Sequence, residues 1–211
     1  MGLFQKKTIN YNAKLGIWKI EETIELLIEN VQLSTDDQLQ LKQLTHIKRK
    51  LEWLCTRKLV AELTESNVSI SRNRFNKPSL IGSSSKISIS HSGDYIAIIL
   101  DEQEETGIDI QEIRTSIATI KFKFLDDKEL NAVDLSNEIE HLHVYWGVKE
   151  SLYKVYGREM LSFKNDISVE KFDFQESGEV IAKIVKADFQ KEYKLHYEKL
   201  ENYMLVYVMN N

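Results

Sequence analysis

The chain has 211 residues, of which 29% are charged and 42% hydrophobic, and its formal net charge is −5. This composition is that of a soluble globular protein, and the negative balance argues against non-specific nucleic-acid binding as its main role. The single cysteine, Cys55, cannot form an internal disulfide, and no apolar run approaches the length of a membrane span. Because the residues after Met1 also lack a signal-peptide pattern, we expect a cytoplasmic protein.

The first half of the chain is predicted to contain helices followed by an antiparallel hairpin. Hydrophobic spacing predicts an amphipathic helix over Glu21–Val31 and helical structure from a cap at Ser34 or Thr35 to about Leu63. The strands predicted around these helices are weaker, and their ranges are Leu3–Tyr11, Val68–Ser71, Lys86–Ser90 and Tyr95–Leu100. The stretch Arg72–Gly82 reads as a loop around Pro78.

Four polar residues of this half could bind an anion, although each also has an ordinary structural interpretation. Arg49 lies in a basic cluster that could simply be a solvated helix face. Lys77 precedes Pro78, which favours an extended backbone there, but a lysine in a surface loop is usually just solvated. Ser90 and His91 end a predicted strand with groups suited to a phosphate, while His91 could equally be a turn residue.

The second half begins after an acidic connector, Asp101–Glu105, and we therefore place the two halves at residues 1–103 and 104–211. Thr106–Gln111 is predicted to be a short strand, and Ile139–Tyr156 a long helix that ends at Gly157. Two short helices are predicted between them, near 116–123 and from about 126, and four strands follow, near 167–170, 180–185, 193–197 and 203–208. Helices followed by antiparallel strands indicate an α+β fold rather than a parallel α/β sheet.

Two carboxylates in this half stand out as candidate metal ligands. Asp109 alternates with the apolar Ile108 and Ile110 on the predicted strand, and Glu150 lies on the long helix. Carboxylates carried by two separate elements suit a hard divalent cation such as Mg²⁺. On the helix, however, Glu150 and Lys154 are four residues apart, so they could also form no more than a surface ion pair.

The order of these pieces resembles the signature of the 4′-phosphopantetheinyl transferases. The matching pieces in the second half are Gly107-Ile108-Asp109, Phe124 and the stretch from Trp146 to Lys154. Upstream, Lys77-Pro78 and Ser90-His91-Ser92 resemble motifs of the larger, surfactin-type branch of that family. Each piece is short, but together they follow the order found in the family.

The resemblance implies a fold, an activity and a set of partners. It implies two similar α+β halves related by a pseudo-twofold axis, in one monomeric chain that binds coenzyme A. The enzyme would transfer the 4′-phosphopantetheine arm of coenzyme A to a serine of an apo carrier protein, with Mg²⁺ as cofactor, and release 3′,5′-ADP. The reaction is a phosphoryl transfer, which depends mainly on positioning and charge neutralisation.

The resemblance also assigns roles to individual residues. Asp109 and Glu150 would hold Mg²⁺, and Glu150 would accept the proton of the carrier serine. Lys154 would neutralise phosphate charge or assist the leaving group. The nucleotide end of coenzyme A would be held by the candidate anion ligands of the first half, which are Arg49, Lys77, Ser90 and His91.

Gln111 departs from the commonest bacterial pattern, in which a third acidic residue stands two positions after the aspartate. An amide oxygen can coordinate a cation or a metal-bound water, but it adds no negative charge. Glu112 is adjacent, yet on a regular strand it would face the other side. We therefore expect a site of two carboxylates, with Gln111 or water completing it.

Three other functions are compatible with the sequence. A different Mg²⁺-dependent enzyme acting on nucleotides would use the same carboxylates, although the chain has no Walker-type glycine loop. A carrier-binding homologue that has lost catalysis is suggested by Gln111, and an interaction module without chemistry is the simplest alternative. The sequence does not identify which carrier protein would be served.

Overall fold

The computed structural model describes residues 2–158 and 161–210, and it divides into two compact units, Met1–Glu104 and Glu105–Asn211. Both units combine helices with small antiparallel sheets, which confirms the predicted α+β class. None of the helices in the described part of the chain is long and apolar enough to cross a membrane.

The first unit contains six strands and three helices within its described residues. Its elements in chain order are β1 Leu3–Thr8, β2 Ala13–Lys19, α1 Ile24–Asn30, α2 Thr35–Gln43, α3 Ile47–Thr64, β3 Ile70–Arg72, β4 Pro78–Leu80, β5 Lys86–Ser92 and β6 Tyr95–Asp101. One sheet has the strand order β1-β2-β6-β5, and β3 and β4 form a separate hairpin.

This topology corrects three predictions for the first unit. Strand β2 was not predicted, since five of its seven residues are buried and the alternation that marks a half-exposed strand is lost. Because β1 and β2 precede the helices and β2 lies beside β6, the sheet is not a simple meander after the helices. The loop predicted around Pro78 contains β4, whose first residue pairs with Arg72, and an edge position is where a strand tolerates proline.

Helix α3 covers the four-stranded sheet, and a buried ion pair joins it to α2. Ser34 caps α2 as predicted, by accepting a hydrogen bond from the backbone of Asp37. The Asp37 carboxylate in turn accepts a hydrogen bond from Arg57 Nε of α3 at 2.8 Å. Helix α3 approaches β2 closely because Gly16 has no side chain, and a Cβ there would lie 2.7 Å from Leu59 Cδ1.

The second unit contains five strands, four α-helices and one 3₁₀ helix, Leu135–Asn137, within its described residues. Its elements are β7 Ile108–Glu112, α4 Ile117–Phe124, α5 Asp127–Ala132, α6 Glu138–Tyr156, α7 Phe163–Asp166, β8 Ile167–Val169, β9 Ser177–Lys186, β10 Phe189–Leu200 and β11 Tyr203–Met209. The sheet order is β7-β11-β10-β9-β8, so the last four strands form a meander and β7 is added at the edge of β11.

Helix α6 matches the predicted long helix, and its end has the predicted cause. Gly157 adopts a left-handed conformation with φ 59°, and its N–H donates to the carbonyl of Tyr153. The predicted apolar face is correct at Leu142, Tyr145 and Leu152, which are fully buried. Tyr153 is an exception, because 38% of it is exposed.

Candidate functional site

Strand β7 and helix α6 bring the two predicted carboxylates and Lys154 together. Asp109 pairs in the sheet with Val206 of β11, on the face of the sheet that α6 covers. The Lys154 ammonium donates to Asp109 Oδ1 at 2.8 Å and to the backbone carbonyl of Ile108 at 2.7 Å. The structure therefore joins Lys154 to the strand, rather than leaving it in a simple surface pair with Glu150.

Two glycines allow α6 to lie this close to β7 and β11. A Cβ on Gly147 would lie 2.5 Å from Val206 Cγ2, and a Cβ on Gly107 would lie 2.1 Å from the backbone oxygen of Ser151. The Ser151 hydroxyl also donates to the Val206 carbonyl at 3.1 Å. The glycines on either side of the site are thus explained by close packing, since contacts this short exclude any side chain.

Glu150 has the most perturbed environment at this site. Burial and, next in importance, the neighbouring Asp109 carboxylate raise the pKa of its carboxyl to about 7, although Lys154 opposes both effects. Without another cation, one ammonium thus faces two acidic groups, and Glu150 is the one that tends to keep its proton. A carboxyl with a pKa near neutrality in a partly buried site is a typical functional candidate.

Gln111 and Glu112 follow Asp109 on the same strand, and their positions are those expected from its alternation. Gln111 pairs with Met204 and lies on the same face as Asp109, roughly 7 Å further along the strand. Glu112 forms an ion pair with Arg114. Gln111 is therefore placed to contribute to the site, whereas the Glu112 carboxylate is already engaged elsewhere.

The donor set at this site suits a hard cation. Asp109 is close enough to Glu150 that its carboxylate disfavours the charged form of Glu150, and a divalent cation between them would remove that repulsion. No group of three or more histidine, cysteine or acidic side chains in residues 2–158 and 161–210 is arranged to hold a metal. The candidate metal ligands are therefore the two carboxylates, with Gln111 as a neutral third.

Sequence reasoning missed His143, which fixes the end of β7 to α6. Its Nδ1 is 2.8 Å from the carbonyl of Ile139, and its Nε2 accepts a hydrogen bond from the backbone N–H of Arg114 at 3.2 Å. Burial lowers the pKa of His143, which keeps the ring neutral and able to accept that bond. The only sequence signal was its position one turn before Gly147, on the face that meets the sheet.

Lys149, next to Glu150, was also not singled out. Its ammonium is completely buried and donates to Glu129 Oε2 at 2.7 Å. A lysine in a predicted helix normally indicates an exposed position, and nothing in the local sequence shows that its partner lies twenty residues earlier.

Aromatic packing explains two further residues of the family resemblance, Phe124 and Trp146. The Trp146 ring meets Phe124 edge-on, with centroids 5.2 Å apart, and meets Phe163 at 5.6 Å. These contacts connect α4 and α7 to the helix that carries Glu150. Phe124 and Trp146 therefore act as packing residues around the site.

The first unit has its own candidate site, a cavity of about 480 Å³ between α3 and the strands β3 and β5. Arg49 and His91, both predicted to bind an anion, line it together with Arg57 and Arg72. His91 lies within β5, paired with Ile96, and not in the turn. Its Nδ1 is 3.6 Å from Glu52, which also lines the cavity.

The Arg57 guanidinium in this cavity is held rigidly. It lies 3.2 Å from the centre of the Trp53 ring, and its Nε donates to the buried Asp37. Among residues 2–158 and 161–210, its outer nitrogens make only long contacts, such as 3.4 Å from Nη2 to Gln40 Oε1. A guanidinium fixed on one edge by a carboxylate and on its face by an aromatic ring is well prepared to bind a phosphate.

Lys77 and Ser90 are not among the residues that line this cavity. Lys77 closes the turn between β3 and β4, where its backbone N–H donates to Asn73 Oδ1 at 3.0 Å. Ser90 is buried in β5, with 7% of its surface exposed. The structure thus brings Arg49 and His91 to one cavity. Lys77 lies instead in the turn between β3 and β4, and Ser90 in strand β5.

Comparison with known proteins finds one family of similar proteins for the second unit. Residues 105–208 match the family model described as the 4′-phosphopantetheinyl transferase superfamily. The matched region contains Asp109, Gln111, Glu150 and Lys154, whereas the cavity of the first unit lies outside it.

Individual relatives agree with the family model. The chain is 29% identical over 115 residues to the 4′-phosphopantetheinyl transferase AcpT of Escherichia coli, an alignment that covers 52% of this chain and 59% of the relative. The AcpT protein of Salmonella typhi is 28% identical over 115 residues, which is 52% of this chain and 60% of that protein. The chain therefore spans about three fifths of the length of the curated relatives it matches.

Proposed function

We propose that this chain, whose residues 105–208 match the model of the 4′-phosphopantetheinyl transferase superfamily, transfers the 4′-phosphopantetheine arm of coenzyme A to a serine of an apo carrier protein. The enzyme would be of the holo-acyl-carrier-protein synthase type and would release 3′,5′-ADP. The observation that carries this proposal is the convergence of Asp109, Glu150 and Lys154 within the matched region.

The reaction needs a base for the serine hydroxyl, and Glu150 is the candidate. The serine oxygen forms a bond to the phosphorus next to the pantetheine arm, the pyrophosphate bond breaks, and the serine proton must leave. Burial and Asp109 raise the pKa of Glu150 to about 7, which suits a group that accepts and returns a proton near neutral pH. Its half-buried position also limits competition from water.

Asp109, Glu150 and Gln111 are the residues that would hold Mg²⁺. A bound Mg²⁺ would supply charge neutralisation for the pyrophosphate oxygens. Asp109 is fixed for this role by its place in β7 and by the packing of Gly147 on Val206. Gln111 would contribute an oxygen without charge, so its contribution to metal affinity is smaller than that of either carboxylate.

Lys154 would neutralise phosphate charge during transfer. Its side chain is 25% exposed and its ammonium is bonded to Asp109, so a modest rotation of this flexible side chain could carry the ammonium from the carboxylate to a phosphate oxygen. The role depends on Lys154 leaving Asp109 when a cation takes over that carboxylate.

The cavity of the first unit would bind the nucleotide end of coenzyme A. Arg49, Arg57 and Arg72 supply positive charge, and His91 a ring nitrogen for hydrogen bonding, around a cavity of about 480 Å³, which is the volume range of small-ligand pockets. Trp53 and Leu44 provide apolar surface in the same cavity. Lys77 and Ser90, predicted for the same role, would contribute only indirectly, because neither lines the cavity.

The proposed enzyme would have several further properties. Membership of the surfactin-type branch is based on Lys77-Pro78 and Ser90-His91-Ser92, which lie outside the matched region, and the relatives found are AcpT proteins. The pseudo-twofold relation of the halves, the monomeric state and the cytoplasmic location are likewise expected for such an enzyme. The carrier could belong to fatty-acid, polyketide, peptide or lysine biosynthesis.

A mass-spectrometric assay tests the proposed function. The protein is incubated with coenzyme A, Mg²⁺ and a panel of apo carrier proteins, and the intact carrier masses are measured. The expected result is addition of one phosphopantetheine arm, with no addition by Asp109→Ala. Dephospho-coenzyme A serves as a second donor, and His91→Ala should discriminate less between the two donors if His91 contacts the 3′-phosphate.

One observation favours a second function, and the same assay separates the two. Gln111 removes a negative charge that relatives commonly have, which suggests a carrier-binding homologue without catalysis. Such a protein would bind an apo carrier but add no mass to any member of the panel. Carrier binding that persists in Asp109→Ala, without transfer by the wild-type protein, would support this alternative.

A further inference from the structure

Lys149 lies next to Glu150 and is one of the most deeply buried charged residues in the described chain. It has no exposed surface, and its ammonium donates to Glu129 Oε2 at 2.7 Å, to the Phe163 carbonyl at 2.9 Å and to the Ile167 carbonyl at 3.0 Å. An ammonium has three N–H groups. Each of them therefore has an acceptor, and the side chain is held in one position.

The acceptors belong to three separate segments that surround α6. Glu129 is in α5, Phe163 begins α7 and Ile167 begins β8. Glu129 is itself fixed, because its Oε2 accepts from the N–H of Asp126 and its Oε1 from the N–H of Val169, both at 2.9 Å. Lys149 thus ties one turn of α6 to a network that cannot easily deform without losing buried hydrogen bonds.

The residue on the other side of Glu150 is held equally firmly. Ser151 is completely buried, its hydroxyl donates to the carbonyl of Val206, and its backbone oxygen lies against Gly107. Because successive helical residues differ by about 100° in direction, Lys149 and Ser151 hold this turn from two different sides. Glu150 lies between them in sequence, and its carboxyl is near enough to Asp109 for that carboxylate to raise its pKa.

We propose that Lys149 is a positioning residue, whose bonds to Glu129, Phe163 and Ile167 set the rotation and height of the α6 turn that presents Glu150 to Asp109. The inference is based on the proposed function above, for which Glu150 is the catalytic group. An active-site group must be held within about 0.5 Å of its productive place, and a displacement of about 1 Å can cost roughly a hundredfold in rate.

Stability alone does not explain a charged residue at this position. A buried ion pair can often be replaced by apolar groups of similar size without loss of stability, whereas removal of one partner is strongly destabilising. Methionine has nearly the length of lysine and would fill the same space without directional bonds. The lysine differs from it in fixing three acceptors at defined positions, which is the property that a positioning role requires.

The experiment compares Lys149→Met, the double variant Lys149→Met/Glu129→Gln, and a stability control. Leu142→Ala is the control, because Leu142 is completely buried on the same helix two turns before Glu150. All proteins are measured at a temperature where urea unfolding shows them to be folded. The measurements are kcat, KM for coenzyme A, and the Kd for Mn²⁺ by electron paramagnetic resonance.

The positioning role predicts a specific pattern. Lys149→Met and the double variant should lose at least about tenfold in kcat and bind Mn²⁺ several-fold more weakly, while KM for coenzyme A changes by less than about twofold. Leu142→Ala should keep kcat and the Mn²⁺ Kd within about twofold of the wild type, despite a lower stability. If Lys149→Met does not fold, the double variant is compared with the wild type and with Leu142→Ala in its place.

Two results would overturn the inference. The first is recovery of wild-type kcat and Mn²⁺ affinity in the double variant, and the second is an equal loss in Leu142→Ala. Crystal structures of the wild type and the double variant give an answer that does not depend on activity. An Asp109-to-Glu150 carboxylate distance that is unchanged in the double variant would contradict positioning, even if the wild type transfers nothing and the proposed function itself fails.

Discussion

Helix α6 carries two lysines, Lys149 and Lys154, that each pair with a carboxylate from another element but differ in their surroundings. Lys149 and Glu129 have 0% and 2% of their side chains exposed, and Lys149 also donates to two carbonyls. Lys154 and Asp109 have 25% and 7% exposed, with Glu150 beside them. In the first pair every ammonium proton has an acceptor, whereas the second pair leaves one lysine to compensate two acidic groups.

The difference indicates which pair is structural and which is available for chemistry. Separating a fully enclosed pair costs much free energy, since any movement would leave a buried charge without a partner. A partly exposed pair with an excess of negative charge can exchange its lysine for another cation at a small cost. We therefore expect substitutions in the enclosed pair to lower stability and to act on transfer only through the position of Glu150, whereas substitutions in the partly exposed pair should change cation binding and transfer directly.

The largest effect is expected from Asp109→Asn and Glu150→Gln. Each substitution removes one of the two carboxylates proposed for metal binding, and Glu150→Gln also removes the proposed base. Transfer to the apo carrier should fall by at least about a hundredfold. Thermal unfolding should show a folded protein in both cases, because neither change opens a cavity. Near-normal turnover by Asp109→Asn at saturating Mg²⁺ would remove this pair from the site.

Glu129→Gln should affect stability first. The change leaves the Lys149 ammonium buried without a carboxylate, and breaking a buried pair in this way costs about 3–5 kcal/mol. Urea unfolding of the variant and of the wild type measures the difference. A loss below about 1 kcal/mol would show that the enclosed pair is no more important for stability than an exposed one.

Lys154→Gln should bind a divalent cation more tightly than the wild type. The Lys154 ammonium occupies Asp109 Oδ1 at 2.8 Å, so a cation must compete with it, and removal of one positive charge should tighten binding by about fivefold. Mn²⁺ titration followed by electron paramagnetic resonance measures this Kd without any turnover. Lys123→Gln, an exposed lysine on α4, controls for the change in net charge. Equal affinities in the two variants would mean that Lys154 does not compete with the cation.

Gln111→Glu should also increase the affinity for a divalent cation, because it adds a negative charge to the ligands. Gln111 is on the same face of β7 as Asp109, so the new carboxylate would face the same site. The half-saturating Mg²⁺ concentration for transfer should decrease, and the metal-free protein should become slightly less stable because three carboxylates repel one another. An unchanged Mg²⁺ titration would exclude Gln111 from the coordination sphere.

The smallest effect concerns pH in the metal-free protein. The folded-state pKa of Glu150 is raised from 4.5 to about 7, so its contribution to stability is fully present below pH 4.5 and is lost as the pH rises towards 7. Glu150→Gln cannot lose a proton and should escape this penalty. In the presence of a chelator, the Tm of the variant minus the Tm of the wild type should therefore be larger at pH 8 than at pH 5. A difference in Tm that is the same at both pH values would contradict the raised pKa.

Much of the local structure could be predicted because its causes are local. Ser34 and Asp126 cap α2 and α5 through their own side chains, and Gly157 ends α6 because it adopts the left-handed conformation. The Gly93-containing turn between β5 and β6 has the same origin, with φ 57° at Gly93. Strand β2 was missed because its burial on both faces depends on β1, β6 and α3, and these contacts leave no alternation in its sequence.

The sequence was sufficient to predict the carboxylates of the candidate site, but not which side chains they pair with. The resemblance pointed to Asp109 and Glu150, yet local spacing favoured a Lys154–Glu150 surface pair, whereas the folded chain pairs Lys154 with Asp109. Ser90 and Lys77 were expected beside His91, but strand pairing buries Ser90 and the β3–β4 turn engages Lys77. Which side chains reach a common cavity depends on strand register, and one sequence does not specify that register.

The sequence by itself determined the α+β class, the long helix with its glycine stop, and the residue types needed for a two-carboxylate site. Only the tertiary structure decided that Lys149 is buried and Lys154 is not, although both lie on one helix five residues apart. The physical reason is that periodicity and capping act over a few residues of chain. The cost of burying a charge depends instead on partners such as Glu129 and Ile167, which only folding brings near.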